Sequence, residues 1–201
     1  MEIFISIDGV LRNLIQKFDY HYKDAYFDSE FVNENNFEYK ITEPIHNNNL
    51  LNSYSFQSIE EFEFFLFIEY PIEIFGHAGL SYSNVISETN KIIYENLNHN
   101  FTVVGLNEIG KAKPATLFFL SKNGFLGNNI KFIRTEDIEN AWENCHVWIT
   151  DNYDIIKKCP IDKDVIKFNT NYNQFFTSKK EITKLSEIKE PWLKYSENSI
   201  T

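Results

Sequence analysis

The chain has 201 residues, enough for one large domain or for one core that carries a sizeable insertion. Its formal net charge of -10 argues against a general nucleic-acid binder, which needs a basic surface, and against docking on an anionic membrane. The aromatic content is high, with 19 Phe and 11 Tyr, so we expect a packed interior rather than a disordered chain.

The cysteine content and the apolar pattern bear on location. Cys145 and Cys159 form neither a disulfide framework nor a zinc quartet, which favours a reducing compartment. No cleavable leader is visible, and no window reaches the ~18 consecutive apolar residues of a membrane span. We therefore expect a cytoplasmic or virion protein that is not secreted and has no transmembrane segment.

The first quarter of the chain predicts a buried strand and a helix. Residues 3–7 are apolar and end at Asp8-Gly9, as in a strand that enters a tight turn. The next apolar residues recur at helical spacing: Leu11, Leu14, Ile15 and Phe18. Residues 37–41 alternate as in one strand, and residues 47–49, all Asn, indicate an exposed connection.

Two further helices are predicted before residue 100. Ser58 and Glu61 have the spacing of a capping box, and the helix that they open should end before Pro71. A second helix between residues 83 and 97 has one apolar face, formed by Val85, Ile86, Ile92, Ile93 and Leu97.

Short apolar runs dominate the rest of the chain. They predict strands at residues 102–105, 115–120, 130–133, 146–150 and 165–168, with a short helix capped by Thr135 after the third of these. Ile182, Leu185 and Ile188 indicate a last helix, and the tail beyond Pro191 should be a loosely attached strap.

Strands that alternate with helices favour parallel pairing through right-handed crossovers. We therefore predict an α/β fold, a Rossmannoid parallel sheet flanked by helices, with a mixed, cap-like insertion after the first strand. The predicted core comprises residues 1–11 and 101–176, the insertion residues 12–100, and the C-terminal helix and tail residues 177–201.

Polar residues at the carboxyl ends of parallel strands converge on one crevice. Residues 3–11, Ile-Phe-Ile-Ser-Ile-Asp-Gly-Val-Leu, resemble the first motif of the haloacid dehalogenase (HAD) phosphohydrolases, an apolar strand followed by Asp-x-Asp-Gly-[Thr/Val]-Leu. Residues 117–121 resemble the second motif, an apolar strand that ends in Thr or Ser, and residues 147–154 resemble the fourth, which delivers acidic residues. The resemblance implies a HAD-like core.

The resemblance also implies a mechanism. In these phosphatases the first aspartate attacks phosphorus, and the second protonates the leaving group and then activates water. Asp8 matches the second aspartate and a metal ligand, whereas Ser121, with Lys122 beside it, matches the phosphate-binding position. Asp151 and Asp154 match the acids that bind Mg2+, a hard ion that prefers oxygen ligands.

Two departures indicate a degenerate phosphatase site. Ser6 stands where the nucleophilic aspartate should be, and loss of a nucleophile typically slows catalysis by about 10^4- to 10^6-fold. No lysine stands clearly at the third-motif position, although Lys122, Lys131 and Arg134 are nearby. Each match also has a simpler interpretation: Asp8-Gly9 as a turn, Ser121 as a cap, and residues 151–154 as a solvated loop.

Three functions are consistent with these residues. We favour a HAD-like protein retained for binding or structural assembly, such as a phage or virion component, with a protein partner or a second copy of itself and no cofactor. The alternative is a Mg2+-dependent phosphohydrolase that acts on a small phosphate ester such as a nucleotide, with the insertion as a cap. The third is an unrelated α/β interaction domain whose motif match is chance.

Overall fold

The computed structural model describes residues 1–27 and 50–193. The strand expected at residues 37–41, the connection at residues 47–49 and the tail from residue 194 lie outside this part of the chain. Among the described residues, no helix is both long enough and apolar enough to cross a membrane.

Eight strands are present in the described chain. They are β1 (Glu2–Ser6), β2 (Arg12–Asn13), β3 (Gly79–Leu80), β4 (Asn100–Leu106), β5 (Ile130–Ile133), β6 (Val147–Thr150), β7 (Asp164–Phe168) and β8 (Glu181–Ile182). Five of them, β1 and β4 to β7, confirm strands that the sequence predicts.

Seven helices are present in the described chain, and single helices separate the strands from β3 to β7. They are α1 (Leu14–Phe27), α2 (Leu50–Ser53), α3 (Ile59–Phe64), α4 (Val85–Glu95), α5 (Ala112–Lys122), α6 (Ile138–Glu143) and α7 (Tyr153–Lys157). Two π-helical turns follow α3, at Phe65–Glu69 and Ile72–Gly76, and short 3-10 turns occupy Thr135–Asp137, Leu185–Glu187 and Glu190–Leu193.

Six strands form one parallel sheet in the order β5-β4-β1-β6-β7-β8, which confirms the α/β, Rossmann-like class. The chain places β4 and β5 on one side of β1 and then crosses to build β6, β7 and β8 on the other. The strand order therefore reverses beside β1. Parallel sheets open a crevice at the carboxyl ends of the strands at such a switch point.

Alternating side chains of β1 build the two faces of the core. Ile3 and Ile5 pack in a cluster with α4 and α5, whereas Phe4 packs on the opposite face with Trp142 and Trp148. All five side chains are at most 1 % exposed. Burial of each stabilises the fold by roughly 1.5–3 kcal/mol or more, which fixes β1 at the centre of the sheet.

Residues 115–120 form a helix, so the strand predicted there is wrong. The buried residues of α5 recur at i, i+3, i+4, i+7 and i+8: Ala112, Ala115, Thr116, Phe119 and Leu120. Pro114 lies in the first turn, where its missing N–H costs no intrahelical hydrogen bond. A short apolar run cannot be assigned to strand or helix by its periodicity alone.

Up to Leu193, where the described chain ends, the C-terminal helix that the sequence predicts is also absent. Ile182 lies in β8, pairs with Phe168 of β7 and is buried in the main core, and a 3-10 turn follows at Leu185–Glu187. The spacing of Ile182 and Leu185 fits a helix as well as a strand that leads into a turn. The pairing of Ile182 with Phe168 at the edge of the sheet selects the strand.

The first part of the predicted insertion of residues 12–100 leaves and returns through a two-stranded antiparallel ribbon, in which Arg12 pairs with Leu80 and Asn13 with Gly79. Residues 14–78 therefore form an excursion whose two ends lie side by side. Its aromatic cluster packs on Ala112 and Ala115 of α5 and contains Phe18, Tyr22, Tyr54, Phe65, Phe67 and Phe75.

Two predicted helices of this region are confirmed. Ser58 caps α3, since its hydroxyl accepts a hydrogen bond from the Glu61 amide at 3.2 Å, and the π-helical turn after α3 ends at Glu69. The second is α4, whose Val85 and Ile86 pack in the sheet's core. Leu97, expected on the same face, lies beyond the end of α4 and is 78 % exposed.

Candidate functional site

A cavity of about 300 Å³ lies at the carboxyl ends of the central strands, at the switch point of the sheet. Four of the residues singled out in the sequence line it: Ser6, Asp8, Asp151 and Asp154. The structure does not bring Ser121 and Lys122 to this cavity. Both are exposed on the last turn of α5, because the segment that carries them is a helix.

Two chemically different walls enclose the cavity. The strand ends supply polar groups, which include Ser6, Asp8, Asn107, Asp151, Asn152 and Asp154. The insertion supplies apolar groups, which include Leu14, Ile15, Leu50, Phe62, Leu66 and Phe67. Of the described residues that line the cavity, none is Lys, Arg or His.

The Ser6 hydroxyl is buried and engaged within the protein. It donates to the Thr150 hydroxyl at 2.8 Å and accepts from the Trp148 indole nitrogen at 3.1 Å. The Thr150 oxygen also accepts from the Asn152 amide at 3.1 Å. The proton of Ser6 thus points at a neutral hydroxyl rather than at a base, so the geometry does not activate Ser6 as a nucleophile.

The turn after β1 brings Asp8 close to the loop that follows β6. The Ile7 carbonyl accepts from the amides of Leu11 and Arg12, and Gly9 has a φ of 75°. A Cβ atom at Gly9 would lie 1.9 Å from Asp151 Oδ2. Glycine is needed here both for the left-handed backbone and for the close approach of the Asp151 carboxyl group.

A buried charge network, formed by Asp8, Arg12 and Glu108, lies under the crevice. Arg12 is fully buried, and its Nε donates to Asp8 Oδ1 at 2.7 Å while Nη2 donates to Glu108 Oε1 at 2.8 Å. Its Nη1 donates to the Phe75 carbonyl at 3.1 Å and to the Thr116 hydroxyl at 2.5 Å. One guanidinium thus joins the turn after β1, the loop after β4, helix α5 and the insertion.

The protonation of this network follows from burial and charge. Burial alone lowers the pKa of Arg12, but the Asp8 and Glu108 carboxylates outweigh it, so the pKa is raised and Arg12 stays charged. Burial raises the pKa of Glu108 to about 7, against the opposing effect of Arg12. The guanidinium also lies over the rings of Phe75 and Phe119, 5.1 and 5.4 Å from their centroids.

Hydrogen bonds from the loop after β7 hold Asp151 in place. The Tyr172 hydroxyl donates to Asp151 Oδ2, and the Asn173 amide nitrogen donates to the Asp151 carbonyl at 3.2 Å. Burial, and then the nearby Asp151 carboxylate, raise the pKa of Tyr172 well above its ordinary value, so its hydroxyl stays a donor. The position of the Asp151 carboxylate is therefore set by the protein itself.

Asp154 reaches the cavity because Asn152 caps α7. The Asn152 side-chain oxygen accepts from the Asp154 amide at 2.9 Å and from the Ile155 amide at 3.1 Å. This cap starts the helix directly after β6 and turns the first-turn residue Asp154 toward the crevice.

Asn107, rather than Ser121, occupies the end of β4, the strand beside β1. It has a φ of 56°, and its side chain bonds the Thr135 hydroxyl at 2.6 Å and the Thr135 amide at 2.9 Å. Thr135 was expected to cap the following helix and instead joins the exits of β4 and β5. Asparagine tolerates this left-handed conformation better than most residues.

Sequence reasoning missed five residues of the site: Arg12, Asn107, Glu108, Asn152 and Tyr172. Asn107 and Glu108 could have been predicted as site residues, because both follow the strand predicted at residues 102–105. A signal also existed for Asn152, because asparagine directly before a short helix is a common cap. Arg12 and Tyr172 had no comparable signal, since an isolated Arg or Tyr between elements is usually a surface residue.

Two polar groups of the crevice are already bonded within the protein. Asp8 Oδ1 already accepts from Arg12, and Ser6 offers a neutral hydroxyl that is bonded to Thr150. In residues 1–27 and 50–193, no three His, Cys, Asp or Glu side chains gather closely enough to hold a metal ion.

Neither the comparison with protein-family models nor the search of curated proteins finds a match for this chain. The resemblance to HAD phosphohydrolases therefore depends on the residues quoted above.

Proposed function

We propose that the protein is HAD-like and that its crevice serves binding or structural assembly, having lost phosphoryl transfer. A virion or phage structural component is the concrete version of this proposal. Its fold part is supported by the central position of β1 and by the convergence of Asp8, Asp151 and Asp154 on one crevice.

The observation that carries the proposal is the charge of the crevice. A transferring phosphoryl group needs fixed positive charge around its oxygens. The described residues that line the cavity include three aspartates and no Lys, Arg or His, and the nearby Arg12 is fully buried and already bonded to Asp8 and Glu108. A phosphate oxygen ~4 Å from one carboxylate is repelled by about 1 kcal/mol in water and about 4 kcal/mol near a protein surface.

Support for a protein partner comes from the outer surface of the insertion. Phe64, Ile68 and Ile72 follow one another at intervals of four residues and are 53 %, 49 % and 44 % exposed. Large apolar side chains that stay in contact with water are typical of interaction surfaces when they lie together.

The alternative is a Mg2+-dependent phosphohydrolase of small phosphate esters. It is favoured by one observation, that the aspartates after β1 and β6 meet in a single crevice. The phosphohydrolase mechanism requires that the Asp8 carboxylate break its ion pair with Arg12.

A phosphatase assay with an aryl phosphate and Mg2+ separates the two functions. We expect no turnover above background by the wild type or by Ser6→Asp, because Arg12 holds Asp8 in both. The matched control is Asp162→Asn, an exposed aspartate far along the chain from β1. Turnover by the wild type that Asp8→Asn abolishes and Asp162→Asn preserves would overturn the proposal and establish the phosphohydrolase.

A further inference from the structure

Two surfaces outside the crevice combine exposed apolar side chains with charges of opposite sign. The acidic surface lies on α3 and the π-helical turns after it, and its exposed residues are Glu60, Glu63, Phe64, Ile68, Glu69 and Ile72. The basic surface lies on α5, and its exposed residues are Lys113, Leu117, Phe118 and Lys122. Each surface thus has apolar groups with charges beside them, as protein interfaces with a polar rim do.

The acidic surface exposes apolar side chains and carboxylates together. Phe64 and Ile68 are 53 % and 49 % exposed, although residues 65–67 between them are buried in the aromatic cluster of the insertion. Among the described residues, no Lys or Arg lies within 4 Å of the carboxylates of Glu60, Glu63 or Glu69. These three acids can therefore pair with cations of a partner without breaking an ion pair of their own.

The basic surface is unusual on a chain whose formal net charge is -10. Leu117 and Phe118 are each 44 % exposed, with Lys113 before them and Lys122 after them on the same helix. Neither lysine forms an ion pair with an acid of the described chain, and Lys122 Nζ lies over the Phe118 ring, 5.6 Å from its centroid. Burial, and then the positive charge of Lys17, lower the pKa of Lys122, so an acidic partner would relieve a repulsion at this surface.

The two surfaces complement each other in charge and in apolar content. Opposite charges guide association and favour the correct partner, whereas like charges placed across an interface repel each other. The acidic surface fits a partner that has lysines beside large apolar side chains, and α5 of a second copy has this composition. Contact between the two surfaces would also remove apolar side chains of both copies from water. The chain itself thus supplies the complementary surface.

We propose that copies of this chain associate, with the acidic surface of one copy on the basic surface of another. The inference rests on the proposed assembly function and names the partner, a second copy. The acids of one copy then face Lys113 and Lys122 of the other, and the apolar side chains of both surfaces pack together. Two unlike surfaces can join copies either as a closed pair or as an open chain.

Sedimentation velocity at protein concentrations up to about 1 mM measures the association. We expect the wild type to sediment faster as its concentration rises, and added NaCl to weaken the association, since salt screens the attraction. Two double charge reversals test the two surfaces separately, Lys113→Glu/Lys122→Glu and Glu63→Lys/Glu69→Lys. Each should raise the Kd of association about tenfold or more, because each places like charges across the contact.

The decisive measurement is an equimolar mixture of the two reversed variants. Every contact between unlike variants again joins an acidic surface to a basic one, so the mixture should associate as the wild type does, although neither variant does so alone. Loss of folding cannot produce this restoration. The matched control is Lys179→Glu/Lys184→Glu, a double reversal of exposed lysines outside both surfaces, which should leave the Kd unchanged.

Three results would overturn the inference: a wild type that stays monomeric at every concentration, association that neither reversal weakens, or a mixture that does not restore it. If a double variant does not fold, the single reversals Lys122→Glu and Glu69→Lys provide the same comparison. The proposed function fails by a different result, turnover of the aryl phosphate. A monomeric wild type without turnover would reject the second copy as the partner and leave the loss of phosphoryl transfer in place.

Discussion

Replacing Arg12 by methionine should cost more stability than any other single change at the crevice. Methionine has a similar length and can fill the space between Phe75 and Phe119, so the change removes the charge with little change in volume. It leaves Asp8 and Glu108 without their cation, and Glu108 is only 2 % exposed.

The magnitude follows from what remains buried. Removing one partner of a buried ion pair costs about 3–5 kcal/mol, because the other charge stays in a medium that solvates it poorly. Native domains have about 5–15 kcal/mol of stability in total, so the loss should be a large part of the whole. Glu108 can limit the cost by taking up a proton, since burial already raises its pKa to about 7.

Urea unfolding followed by circular dichroism measures the effect. The double variant Arg12→Met/Glu108→Gln should recover at least ~1 kcal/mol of the loss, because the buried unpaired carboxylate is gone. The matched control is Arg134→Met, since Arg134 pairs with Glu136 at 3.4 Å on the open surface and should matter little. If Arg12→Met does not fold, recovery of folding in the double variant would equally show that the unpaired Glu108 carboxylate causes the loss.

Either of two results would show that the network of Asp8, Arg12 and Glu108 contributes little to stability. One is a free energy of unfolding for Arg12→Met within about 1 kcal/mol of the wild type, as for an exposed ion pair. The other is a double variant that is less stable than the single Arg12→Met variant.

Two further predictions concern the same turn and network. Burial raises the pKa of Glu108 from 4.5 to about 7 in the folded state. Between these pH values the folded protein holds a proton that the unfolded protein releases, so the stability of the wild type should fall as the pH rises through this window. Relative to Glu108→Gln, the wild type should lose about 2–3 kcal/mol between pH 5 and pH 8 in urea unfolding, and parallel pH profiles would contradict this. Gly9→Ala should destabilise by about 2 kcal/mol or more in thermal and urea unfolding, because its φ is 75° and a Cβ atom meets Asp151. Gly79→Ala, where no atom lies within 4 Å of the new Cβ, is the control and should change little; equal losses in the two variants would contradict the argument.

The central sheet could be predicted from the sequence because its strands are short apolar runs bounded by turn residues. In β1 and β6 the buried residues are apolar up to the last position, which is Ser6 or Thr150, and further polar residues follow the strand. The same rule failed at residues 115–120, since the exposed positions of α5 in this run are Leu117 and Phe118, each 44 % exposed, so no polar residue marks the outer face of the helix there. The helical periodicity is visible only when the positions from Ala112 to Leu120 are considered together.

The site could be predicted only in part, and the reason is physical. Asp8, Asp151 and Asp154 were found because the carboxyl ends of parallel strands converge, a rule that needs no knowledge of side-chain contacts. Arg12 and Glu108 were missed because a charged residue in a sequence is normally solvated. That these two are buried together depends on residues ninety-six positions apart meeting in the fold.

Ser6 and Arg12 together limit the uncompensated negative charge at the floor of the crevice. A carboxylate at position 6 would add a further acid to the cavity that Asp8 and Asp151 line, and Arg12 is already shared by Asp8 and Glu108. The serine hydroxyl instead pairs with Thr150. Asp8 then has Arg12 and Asp151 has Tyr172, so these two acids each have a partner from the protein.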